Sequence, residues 1–389
     1  MKSVNRRGLS AAILAMSAIH MSANVISPIL GEIKSHLPEA TDTGVQFLMT
    51  FPFLFVVVIS LITGMLGERV NKKLAAIISL GLTAVSGLGA FFFHQSLAIL
   101  YCWSAILGVA IGLIGPICAS LIAIWYQGKA RESMLGYQTS AQNLFSIAMT
   151  YGGGLLASII WYDTYLVYLL VIPGIILTTL YIPDRCKTVT ANREDRMTAG
   201  TRKRIPPMVF LFCGIAMMHM LLFFIAPTNV AMLVEERHLG GVTVVGTATT
   251  LLLVAGLIAG IIFGKLAAVI GRHTITIGYI LLATGYAVLQ GANSLPLLYT
   301  GMFIAGMSNA FIIPQCMASA VQIAPNHATL VNSLIFSLMN IGTFIAPLLT
   351  SLAAALFGSG AVGPRFILAG IVSAVCGCIL GWVLQTKQK

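Results

Sequence analysis

Apolar residues along this 389-residue chain do not alternate with polar ones. They gather into twelve long runs divided by short polar breaks. The runs cover approximately 9–33, 43–66, 74–93, 97–124, 133–159, 165–182, 207–234, 242–266, 274–291, 296–323, 328–356 and 364–385. Each is close to or above the ~20 residues that an α-helix needs to cross a bilayer. Most breaks fall at charges or turn residues, among them Glu68-Arg69, His94-Gln95, Gly128-Lys129, Asn293-Ser294 and Pro325-Asn326. Continuous runs, rather than alternation at every second position, argue for a helical bundle and against a β-barrel.

Composition agrees with the pattern. The chain is 58% hydrophobic and 8% charged, more apolar surface than a soluble domain can hide. Charge then sets an orientation. With both termini in the cytoplasm, 19 of the 22 Lys and Arg fall on the inner side, and Lys34, Arg237 and Arg365 fall outside. That asymmetry follows the positive-inside rule and supports an even number of spans in the cytoplasmic membrane. The net charge of +11 is accounted for by topology and by anionic lipid headgroups, so no nucleic-acid partner is expected. The first apolar run is too long for a signal peptide and contains His20, Asn24 and Pro28, so it is expected to stay as the first span. The seven cysteines lie in spans or on the cytoplasmic side, and no disulfide is expected.

The chain also repeats itself. Residues 19–28 carry His20-Met21 with Pro28 eight residues after the histidine; residues 218–227 carry His219-Met220 with Pro227 at the same distance. At an offset near 200, Thr50 matches Thr250, Gly64 matches Gly264, Pro116 and Cys118 match Pro314 and Cys316, and Asn143 matches Asn340. A basic stretch at 183–206 separates six runs from six. The expected organisation is an N-terminal six-helix bundle at 1–182, a cytoplasmic linker at 183–206 and a C-terminal six-helix bundle at 207–389. Such pseudosymmetric membrane chains place a substrate site near the midplane, between the repeats.

After the second run stands Gly64-Met65-Leu66-Gly67-Glu68-Arg69-Val70-Asn71-Lys72-Lys73. It resembles the signature loop of the major facilitator superfamily, Gly-x-Leu-small-acid-basic-x-Gly-basic-basic. A degraded copy, Gly264-Lys265-Leu266-Ala267-Ala268-Val269-Ile270-Gly271-Arg272-His273, follows the eighth run. The resemblance covers the whole chain and implies an all-α integral membrane fold of twelve transmembrane helices in two pseudosymmetric six-helix bundles. It also implies a monomer, and a conformational latch at Gly64, Glu68, Arg69, Lys72, Lys73, Gly264 and Arg272. The alternative for the basic residues is that they only fix topology. Glu68 stands in place of the usual Asp, Asn71 in place of a Gly, and Ala268 where an acid would sit, which points to a one-sided latch.

Every Asp, Glu, Lys and Arg can be assigned to a loop or a span end, which leaves His20 and His219 as the ionisable candidates near the midplane. Ionisable groups at membrane depth are costly and usually functional, and imidazole changes charge near neutral pH. In the resembled family, spans 1, 4, 7 and 10 line the cavity, and some anion-transporting members carry a basic pair on spans 1 and 7. His20 and His219 look like a titratable version of that pair. They are therefore candidates for both substrate binding and proton coupling, against the plainer reading of two neutral histidines bonded to neighbouring helices.

Asn24, one α-helical turn after His20, is expected on the same face, with Phe223 at the corresponding place after His219. Asn143, Asn309 and Asn340 are further mid-span candidates for substrate contact, although polar side chains also bridge helices for stability alone. Gly108-x3-Gly112 and Gly256-x3-Gly260-x3-Gly264 read as close-packing seams.

No metalloprotease His-Glu-x-x-His and no intramembrane acid pair is present, so an enzyme is not expected. No nucleotide-binding motif, metal spacing or cofactor site is present either, so the expected energy source is a gradient. The leading reading is a secondary active transporter for a small organic anion such as a carboxylate, with protons as the coupling ion. The alternative is an efflux transporter for amphipathic compounds, favoured by aromatic residues such as Trp103, Phe223 and Phe224.

Overall fold

The structure, a computed structural model, describes residues 6–66, 71–126, 128–183, 206–270, 273–324, 328–357 and 361–386. Among them there are helices and connections but no strand. Twelve helical units follow one another: α1 Arg6–His36, α2 Asp42–Leu66, α3 Lys72–Phe92, α4 Leu97–Trp125, α5 Gly128–Ala157, α6 Trp161–Tyr181, α7 Pro207–Glu236, α8 Val242–Ile270, α9 His273–Gln290, α10 Leu295–Ile323, α11 Ala328–Phe357 and α12 Gly363–Thr386. Because the number is even, α1 starts and α12 ends on the same face, the terminal face. The opposite face is the distal face.

Large apolar side chains such as Phe92, Ile159, Leu180 and Ile261 are exposed on the outside of the bundle, as befits a protein whose solvent is hydrocarbon. Within the first six helices, α2 packs on α4, α3 on α4 and α6, and α1 on α5. The same relations recur six helices later: α8 on α10, α9 on α10 and α12, and α7 on α11. The two sets meet where α2 lies against α11 and α5 against α8. Advancing six helices, with α12 followed by α1, exchanges those two seams, so the molecule is pseudosymmetric about an axis between them.

Two glycines show how the backbones approach. A Cβ on Gly108 of α4 would run into the Pro52 carbonyl of α2, and one on Gly306 of α10 into the Leu252 carbonyl of α8. These are corresponding helix pairs, so the close-packing seam is itself repeated. The expected seam at Gly256 and Gly260 is not tight: Gly256 is in ordinary contact with Gly306, and Gly260 has open space beside it.

Three units are irregular. In α1, Arg6–Ser17 is α-helical, Ala18–Ile29 is wound as a 3-10 helix, and Leu30–His36 is α-helical again. In α6, Trp161–Val171 is 3-10 and Ile172–Tyr181 α-helical. In α7 the helix breaks at Phe224 between Pro207–Phe223 and Ile225–Glu236. Pro227 explains that break, since it has no N–H to offer the Phe223 carbonyl one turn back. The hydroxyl of Tyr286 on α9 donates to the Phe223 carbonyl at 3.4 Å and also to the Leu222 carbonyl. A freed backbone acceptor is thereby satisfied inside the bundle.

Candidate functional site

The 3-10 stretch decides where α1 presents its polar residues. A 3-10 helix turns ~120° per residue, against ~100° in an α-helix. Residues four apart are then ~120° apart around the axis rather than nearly aligned. His20 accordingly faces the second helix set: its ring stacks on Phe336 of α11, with centroids 5.5 Å apart and planes 27° apart. Gly115 of α4 lies against the same imidazole. Asn24 does not share this face. It is buried, and its amide donates to Ser146 of α5 at 3.5 Å. The expectation of a common face fails because the local winding is not α-helical.

His219 sits on regular α-helix and is completely buried within its own set. Its ring lies 5.6 Å from Phe223 and 6.0 Å, edge to face, from Tyr279 of α9. Asn309 of α10 is beside it, yet neither imidazole nitrogen and not the Asn309 Oδ1 completes a hydrogen bond of normal geometry. His20 Nδ1 is also buried without a partner. A buried polar atom left unbonded costs about 1–3 kcal/mol, so such atoms rarely persist without a use.

The remaining candidates fall around these two centres. Asn340 of α11 donates to the Phe336 carbonyl at 2.8 Å, in the turn that carries the ring stacked on His20. Asn143 is half-buried on α5, the helix that supplies Ser146. Thus His219, Phe223 and Asn309 share one centre, Asn340 stands one turn from the ring stacked on His20, and Asn24 is apart from both histidines.

Of the expected latch, Glu68, Arg69 and Arg272 lie outside the described residues, as does most of the 183–206 linker. Gly64 and Gly264 lie within α2 and α8, and Lys72 and Lys73 open α3. Asn71, the departure from the motif's glycine, has a clear role: its side chain caps α3, accepting from the backbone N–H of Lys73 at 3.1 Å and Leu74 at 3.2 Å. That satisfies two of the otherwise orphaned N–H groups of the first turn.

One constellation is absent from the sequence-based expectations. Arg365, there placed at the outer end of the last span, is only 4% exposed. Its Nη2 pairs with Asp42 Oδ2 at 2.5 Å, and its Nη1 donates to Asn229 Oδ1 at 3.0 Å. Gln46 donates to the same Asn229 oxygen at 2.7 Å, and Thr350 donates to Gln46 Oε1 at 2.7 Å. This network ties α2 to α7, α11 and α12 near the distal face. Close by, Ser27 donates to the Pro227 carbonyl at 2.5 Å and Ser35 to Glu235 at 3.2 Å, joining α1 to α7. Gly154 of α5 and Gly246 of α8 touch backbone to backbone at the same end. Among the described residues, polar bonding between the two helix sets is therefore concentrated at the distal face. The only sequence signal for it was a set of polar residues at span ends, Asp42, Gln46, Asn229, Thr350 and Arg365, which reads equally as loop-proximal polarity.

The fold is that of solved transporters. A POT family transporter in complex with a thioalcohol-conjugated peptide superposes with a TM-score of 0.79 at 13% identity, covering 98% of this chain and 96% of that one. The nucleoside transporter NupG gives 0.77 at 11% identity, over 98% and 100%. A bacterial homolog of the human lysosomal transporter Spinster, inward-facing and unoccupied, gives 0.73 at 15% identity, over 98% and 95%. No curated protein matches the chain. The family model of the Major Facilitator Superfamily matches residues 12–242 and 211–389. With twelve helices in two pseudosymmetric sets and a family match along nearly its whole length, the chain belongs to the Major Facilitator Superfamily and is a membrane transporter rather than an enzyme.

Proposed function

We propose that the chain carries a small organic anion, such as a carboxylate, across the cytoplasmic membrane by alternating access, in symport with protons. The terminal face is cytoplasmic on this reading, residues 1–182 and 207–389 rock as two bundles about 183–206, and the unit is a monomer. The observation that carries the reading is the set of buried, unpartnered polar atoms on His20, His219 and Asn309. A protonated imidazole offers two N–H donors and a positive charge, and an amide adds donors and an acceptor. Together they suit a carboxylate, whose charge-assisted bonds are about twice as strong as neutral ones. The distal network of Arg365, Asp42, Asn229, Gln46 and Thr350 holds the outer ends together in this state. Outward opening then requires those bonds to part.

The aromatic rings around the histidines support a second reading, efflux of amphipathic compounds. Phe336 stacks on His20, Phe223 flanks His219, and Phe53 meets Phe224 edge to face across the two sets.

The test is uptake into proteoliposomes of small carboxylates, sugars and amphipathic cations. It is run with and without a proton gradient, on wild type and on the His20→Gln/His219→Gln double variant. Gradient-driven carboxylate uptake that disappears in the double variant is expected. Uptake indifferent to both pH and the histidines would return them to structural roles. Dyes that compete where carboxylates do not would favour the efflux reading.

A further inference from the structure

Away from the helix interface, three distal connections of the first helix set border a half-open pocket of about 290 Å³. It is lined by His36 and Leu37 at the end of α1, His94 and Gln95 between α3 and α4, and Ile160, Trp161 and Tyr162 where α6 begins. None of the transport chemistry above uses it, and every lining residue belongs to one helix set.

Its walls are aromatic and ordered by contact. His94 stacks on Tyr162 with centroids 4.1 Å apart and meets Trp161 edge to face at 5.1 Å. The His36 ring lies 5.7 Å from that of Trp161, tilted by 42°. Both imidazoles are also fixed through one nitrogen. His36 Nδ1 bonds the Glu32 carbonyl at 2.9 Å and His94 Nδ1 bonds the Phe91 carbonyl at 2.8 Å. A carbonyl oxygen only accepts, so in each ring Nδ1 carries the hydrogen. In the neutral ring Nε2 is then a lone-pair acceptor. Two acceptors on rings that border one cavity, together with the indole of Trp161, make a lining that favours a cation bearing N–H donors.

The surroundings agree. Phe92, Phe93 and Ile159, within two residues of the lining, are exposed apolar side chains, so the pocket lies beside an exposed apolar surface. At ~30 Å³ per water, the volume accommodates a headgroup amine with room to spare.

We propose that this pocket binds an organic ammonium group, presented either by a free amine or by an aminophospholipid headgroup. The ammonium N–H groups bond His36 Nε2 and His94 Nε2, and its charge rests against Trp161.

The test is titration calorimetry on the full chain in detergent, using ethanolamine, tetramethylammonium, short-chain phosphatidylethanolamine and short-chain phosphatidylglycerol. Saturable binding of ethanolamine and phosphatidylethanolamine assigns the site to the amine itself; binding of phosphatidylethanolamine alone assigns it to the lipid. Where ethanolamine binds, tetramethylammonium, which has no N–H, should bind about tenfold more weakly. The His36→Phe/His94→Phe variant should lose about tenfold in affinity, and His36→Gln/His94→Gln, which keeps an acceptor at each place, should retain most of it. A thermal melt alongside each variant separates lost binding from lost fold. The proposal is overturned if neither amine binds, if phosphatidylglycerol or tetramethylammonium binds as well, or if a folded double Phe variant binds like wild type.

Discussion

His20 and His219 occupy the same place in two copies of one phrase, yet the structure gives them different neighbours. His20 lies on 3-10 helix and stacks across the interface on Phe336 of the other set. His219 lies on α-helix and turns into its own set, against Tyr279 and beside Asn309. By the third residue of a 3-10 stretch, the ~20° difference per residue has rotated a side chain ~60° away from its α-helical direction. A repeated sequence thus yields an unrepeated site, because the local winding sets the azimuth. The difference suggests a division of labour. A residue on the interface changes surroundings whenever the sets move, whereas a residue inside one set keeps its neighbours throughout.

The largest effect that could break this comparison comes from single substitutions. His20→Leu should lower carboxylate uptake by about 100-fold, the scale of losing a hydrogen bond to a charged group. His219→Leu should lower it less, by about tenfold, because His219 supplies part of the carboxylate's bonds from within one set and keeps its neighbours when the sets move. Initial-rate measurements in proteoliposomes at several pH values decide it. Equal losses at the two positions would mean that the histidines work as a symmetric pair and that their different packing is incidental.

How much of this was legible beforehand varies by feature. The twelve helices were, including two that hydropathy alone passes over. Ten units are long and apolar enough to be recognised as spans. α5, with Lys129, Arg131, Glu132, Gln138 and Gln142, and α9, at 18 residues, are not among them. The polar breaks on either side revealed both. The repeat was legible too, and the two helix sets pack as it implied. The 3-10 winding of Ala18–Ile29 was not, since no residue in it forbids an α-helix before Pro28. The burial of Arg365 was not legible either. A lone Arg at a span end reads as a loop charge, and its partners Asp42 and Asn229 are 323 and 136 residues away in sequence. Only the fold brings them together.

An intermediate effect sharpens the comparison through that distal network. Arg365→Gln removes the guanidinium that holds Asp42 to α12. Breaking a buried pair costs several kcal/mol, but Asp42 is 35% exposed and has Lys34 at 3.8 Å to fall back on. We expect about tenfold in favour of the distally open population. A cysteine at position 336, which faces His20, should then react about tenfold faster with a thiol reagent applied from the distal face. A cysteine at position 279, which faces His219, should react at an unchanged rate. Equal acceleration at both would show that the sets loosen internally rather than part from one another.

The smallest effect concerns Asn24, four residues after His20. Were α1 an ordinary α-helix, Asn24 would join His20 at the substrate, and its loss would raise the KM for carboxylate as steeply as loss of the histidine. Here its amide instead reaches Ser146 on α5 at 3.5 Å, at the long edge of hydrogen bonding, in contact with its own helix set. Such a bond is worth less than about 1 kcal/mol, and Asn24→Ala leaves behind only a serine hydroxyl that can turn to a nearby carbonyl. Uptake should fall by less than about fivefold, with KM unchanged. A KM that rises tenfold would place Asn24 against the substrate during part of the cycle. It would mean that the 3-10 segment rewinds into α-helix as the sets rock, bringing residues 20 and 24 onto one face.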